Sequence, residues 1–168
     1  MKFPWWKLIL GYLLFVFFHQ LIDIIPGTFV GNLFGEGIES VYPHMKMLFY
    51  AYLVLSVIDY FLRRKEIKLE SFLYARMLIL SAVPWMMIAI YYSPEAIGLN
   101  LPMPVELIWG LIMTGVGVYI CIRLEEPLDN MQLRGAAKAV ILLAFLGTVI
   151  TYAGFSFHVP DNFFFVIE

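Results

Sequence analysis

Five long apolar runs alternate along the chain with short clusters of charged, proline and glycine residues. The runs fall at about residues 7–25, 44–62, 72–92, 105–122 and 136–157, each near the ~20 residues that an α-helix needs to cross a hydrocarbon core. No strand-like alternation appears, and a segment in hydrocarbon must satisfy its backbone amides internally, so helices are the predicted spanning elements. The expected fold class is all-α: a polytopic membrane helix bundle of five transmembrane helices, one integral membrane domain over residues 1–168.

Composition excludes the soluble alternative. With 62% hydrophobic and 14% charged residues, the polar side chains are too few to cover a water-soluble domain of this length. The formal net charge of -2 hides a strong asymmetry. Lys2, Lys7, Arg63, Arg64, Lys65, Lys68, Arg76, Arg123, Arg134 and Lys138 all fall on one side of a five-span arrangement, and Lys46 on the other. Cytoplasmic loops carry the excess of Lys and Arg, so the N-terminus is expected inside and the C-terminus outside. Trp5 and Trp6 would mark the inner boundary, Tyr91 and Tyr92 the outer one. The first run continues through His19, Gln20 and Asp23 without a small-x-small cleavage site and reads as a span. Asp59 and Arg63, four apart, read as a local ion pair, and residues 63–70 and 124–130 as solvated connectors. Cys121 is the only cysteine, which excludes an intrachain disulfide. Gly110, Gly115 and Gly117 suit a helix-packing face.

Candidate chemistry gathers on the predicted outer side. His19, His44 and His158 all fall there with Asp23, Glu39, Glu106 and Asp161, and residues 26–43 read as an external segment lying in the interface. His19 and Asp23 are four apart, hence on one helix face, and ionisable groups within a span are costly unless they serve the bundle interior. Ser40 is placed to cap the second long helix, with Pro43 in its first turn. His44 is a candidate general base, with Glu39 and His19 orienting it. Asp23, Ser40, Lys46 and Glu106 are candidate ligand-binding residues. His19, Glu39, His44, His158 and Asp161 carry the donor types that could hold a divalent metal ion, an optional cofactor of the site. The spacings match no named metal motif, and no phosphate loop, nucleophile elbow or dinucleotide fingerprint is present.

Residues 39–46, Glu-Ser-Val-Tyr-Pro-His-Met-Lys, resemble the Asn-Glu-Ser-Val-Trp-Glu-His-x-Lys segment of a family of small uncharacterised prokaryotic multi-pass membrane proteins. His19 and the closing stretch at 155–161, Phe-Ser-Phe-His-Val-Pro-Asp, are similar to that family's two other recurring stretches. The resemblance implies a prokaryotic plasma-membrane location and a site that includes His19, Glu39, Ser40, His44 and Lys46. It implies no reaction. Pro43 stands where the family has Glu, and Asp161 where it has His, so identical chemistry does not carry over.

Two functional readings follow. In the first, a His/carboxylate site at the outer face binds a metal ion, a lipid headgroup or an amphiphilic small molecule, with hydrolase or transferase chemistry as an extension. In the second, the chain is a non-catalytic accessory or scaffold subunit, docking on a membrane partner or on its own copies through the apolar tail at 163–167. Membrane lipids are expected partners in both; nucleic acid is not.

Overall fold

A computed structural model describes residues 3–35 and 41–158. Those residues form seven helices and no strand: α1 (Trp5–Ile24), α2 (Phe29–Phe34), α3 (Val41–Arg63), α4 (Leu69–Tyr91), α5 (Ser93–Ala96), α6 (Met103–Asp129) and α7 (Gly135–Phe155). Five of them, α1, α3, α4, α6 and α7, are long and apolar enough to cross a membrane. The two short helices lie in connections at one end of the bundle. α2 is capped by Thr28, whose Oγ1 accepts from the Gly31 amide at 3.0 Å.

The long helices alternate in direction, and α3 is the axis of the bundle. Of its apolar stretch 61% is enclosed, against 17% for α7, which packs chiefly on α4. Every residue from 45 to 52 in α3 is buried, as expected for a helix that is apolar all round and surrounded by others. α1 packs on α3 and α6, and α4 packs on α6, α3 and α7. Between the long helices, two glycines permit close approaches. A Cβ at Gly11 would stand 2.7 Å from Val118 Cγ1, and one at Gly117 2.9 Å from Leu48 Cδ2, so α1, α3 and α6 meet where side chains are absent. A ladder of aromatic rings joins α7 to α3: Tyr152 lies 5.1 Å from Phe49 and 5.6 Å from Tyr42, whose hydroxyl donates to the Thr151 carbonyl.

The exterior is apolar. Ile9, Leu13, Leu107, Leu111, Leu143 and Ile150 are all exposed, although water would drive such residues inward. The one substantial departure from the predicted boundaries is α6, which runs to Asp129 and so takes in most of the expected connector at 124–130. Glu125 there is buried and bonded to other helices, which holds the extra turns in register, and Pro127 removes only a single backbone donor.

Candidate functional site

Polar side chains meet at both ends of the bundle. At one end the last turns of α1 lie beside the first turns of α3, and His19 and His44 face each other there, with ring centroids 5.5 Å apart in an edge-to-face arrangement. Phe15, one turn before His19, stacks on His44 at 6.2 Å, and Gln20 Nε2 approaches His19 Nδ1 at 3.2 Å. Both imidazoles are half-buried. Two residues past His44, Lys46 is 4% exposed, and its ammonium donates to the Asn32 carbonyl at 3.2 Å and to Ser156 Oγ at 3.1 Å. A buried ammonium needs such acceptors, and α2 and the end of α7 supply them. The stretches around His19, His44 and Ser156 that carry the sequence resemblance therefore converge on this histidine end.

Other predicted site residues are placed differently. Asp23 is exposed and makes no hydrogen bond to His19. Glu106 accepts from the Tyr91 hydroxyl at 3.0 Å, while Trp109 Nε1 donates to the Tyr91 carbonyl at 2.9 Å, so Glu106 belongs to a clasp between α4 and α6. His158 is exposed. Glu39, Ser40 and Asp161 lie outside the described residues. Among the described residues no three His, Cys, Asp or Glu side chains come together as metal ligands, so the proposed ion would have to draw on Glu39 or Asp161 beside His19 and His44.

The opposite, basic end holds a buried ionic network of residues scattered along the sequence. Lys7 of α1 bridges Asp59 Oδ2 of α3 at 2.8 Å and Glu125 Oε2 of α6 at 2.5 Å. Arg76 of α4 reaches the same two oxygens, each at 3.4 Å, and Asp129 Oδ1 at 2.9 Å. Arg63 closes the set with a two-point contact to Asp59. The Tyr52 hydroxyl donates to Glu125 Oε1 at 3.0 Å. Three cations thus face three carboxylates from four helices, and Lys7, Asp59, Arg76 and Glu125 are all buried. Charges removed from water are tolerated only when so matched, and the matched set ties α1, α3, α4 and α6 together at one level. The Asp59–Arg63 pair expected from spacing does form, but as one edge of this larger structure. Lys7 and Arg76, assigned to the basic loops' charge bias, are interior residues. The available signal was depth: Lys7, Asp59, Arg76 and Glu125 each sit within two turns of a helix end, on the same side of the bundle once the helices alternate.

No family model, curated protein or solved structure matches the chain.

Proposed function

We propose that the chain is a five-span protein of the prokaryotic plasma membrane, with the basic end cytoplasmic, which binds the anionic headgroup of an amphiphilic molecule at its outer, histidine end. The observation that carries this reading is the assembly of His19, His44 and the buried Lys46 from α1 and α3, closed by Ser156 from the end of α7. Imidazole N–H groups are donors suited to phosphate or carboxylate oxygens, the Lys46 ammonium adds positive charge behind them, and Phe15 beside them offers apolar surface to the rest of the molecule. Glu39 and Asp161 stand close in sequence to His44 and Ser156, and would add acceptors or an optional divalent ion. Turnover would need His44 to act as a base; binding needs only its N–H.

The orientation rests on the apolar exterior and on the gathering of cations at one end. Single cysteines at Lys65 and Leu99, in a Cys121→Ser background, test it: an impermeant maleimide applied to intact cells should label position 99 and spare 65. The reverse pattern inverts the protein. For the site, thermal unfolding in mild detergent is measured with and without a short-chain phosphatidic acid. A stabilising shift that is lost in both His19→Ala and His44→Ala is expected. A shift of equal size in both variants, or none in the unmodified protein, would overturn headgroup binding at this end.

A further inference from the structure

The flank of the bundle between α1 and α6 carries a groove of about 480 Å³ lined by Leu8, Ile9, Tyr12 and Leu13 on one side and by Ile112, Gly115, Val116 and Tyr119 on the other. Gly115 keeps it open: a Cβ there would only just reach the Tyr12 ring, at 4.0 Å, and no larger side chain fills the space. At its basic end the groove is bordered by Phe3, which packs on Tyr119 at 5.1 Å and on Trp5 at 5.0 Å. Residues 112, 115, 116 and 119 recur at helical spacing, and the next position on that face is Arg123. Arg123 is exposed. Among the cations that the long helices carry at this end, Lys7, Arg63, Arg76 and Lys138 are ion-paired, whereas Arg123 forms no ion pair among the described residues.

We infer that this groove holds one acyl chain of an anionic phospholipid of the cytoplasmic leaflet, with the phosphate on Arg123. Length supports it. From Arg123 to Ile112 α6 rises ~16 Å, close to the ~15 Å of a single hydrocarbon leaflet. Charge supports it as well, because the Arg123 guanidinium, without an ion pair among the described residues, lies at the same end of the bundle as Trp5, an exposed indole of the kind that settles in the headgroup layer. The groove's walls are hydrocarbon and aromatic, which suits a chain, and Arg123, one turn beyond Tyr119 on the same helix face, suits a phosphate. The inference rests on the membrane insertion and orientation proposed above but not on the histidine site, which lies at the other end.

Native mass spectrometry of the full chain, released from detergent after exchange into phosphatidylglycerol or phosphatidylcholine of the same chains, tests it. The unmodified protein should retain one phosphatidylglycerol in preference to phosphatidylcholine. Arg123→Gln, an exposed change that disturbs no packing, should reduce that preference by about fivefold, the value of one basic residue at a membrane surface. Gly115→Leu should lose retention of both lipids, with its helical circular dichroism checked beside it. His44→Ala should retain phosphatidylglycerol as the unmodified protein does, which separates this site from the outer one. Equal retention of the two lipids by the unmodified protein, or an unchanged preference in Arg123→Gln, would overturn the inference. So would a dimer that Gly115→Leu converts to monomer, since the groove would then hold a helix of a second copy.

Discussion

Asp59 carries more of the structure than its single negative charge suggests. It is 0% exposed, and one of its oxygens is approached by Lys7, Arg63 and Arg76. Asp59→Asn keeps the shape and removes the charge, leaving the basic end with an uncompensated buried cation, so stability should fall by about 3–5 kcal/mol. Adding Lys7→Met should restore part of that loss, because the second change removes the cation that the first one orphaned. Thermal unfolding of both single variants and the double variant measures the coupling directly, and additive losses would count against a shared network. Tyr152 is the opposite case. Its hydroxyl is fully buried and finds no hydrogen-bond partner among the described residues, so Tyr152→Phe should leave stability unchanged or raise it by about 1 kcal/mol. A clear loss in the same unfolding experiment would mean that the hydroxyl is satisfied by something bound beside it. Residues of these two kinds were not equally legible. The histidines stand out in an apolar chain because nothing else explains them there. Lys7, Arg76 and Glu125 each had a ready explanation nearby, in loop charge or in a connector, and only their common level in the folded bundle shows that they act together.

Among the elements, the five long helices were legible because hydrocarbon imposes a length and forbids unpaired backbone, which leaves little freedom in where a span can lie. Their ends were less so. A polar connector and a helix continued by buried ion pairs have the same composition, and α6 runs through residues expected to be solvated because Lys7, Tyr52 and Arg76 meet Glu125 from other helices. Of the glycines expected to form a packing face on this helix, Gly117 does so and Gly115 borders open space. How closely the elements approach gives a graded prediction. Gly11→Ala pushes a methyl against Val118, whose β-branched side chain has little rotamer freedom, while Gly117→Ala meets the flexible end of Leu48. Overpacking costs about 1–3 kcal/mol, and Gly11→Ala should lie at the upper end and Gly117→Ala at the lower. Unfolding midpoints in one detergent rank the two, and the reverse order would place the tightest contact elsewhere.

For the molecule as a whole, its two ends differ in chemistry as they differ in charge. The histidine end sets the half-buried His19 and His44 beside the buried Lys46. At the basic end the buried network is neutral in sum and closed, with Asp59 and Lys7 sealed below Arg63 and Asp129. Cys121 lies one turn from Glu125 in that closed region and is 1% exposed. The intact protein should therefore resist thiol reagents until heated, and maleimide uptake against temperature reports when the basic end opens; rapid labelling of the folded protein would show the end to be loose. The same closure sets a timetable for synthesis. Lys7 emerges well before its partner Glu125, which lies 118 positions later, and at about 5–20 residues per second the gap is ~6–24 s of translation. Through that interval α1 holds a cation with no final carboxylate from α6, and a chain released early keeps Lys7 and Arg76 short of negative charge within the bundle. A chain that stops before residue 125 should therefore present proteases with loosely held helices where one that includes α6 presents a closed end.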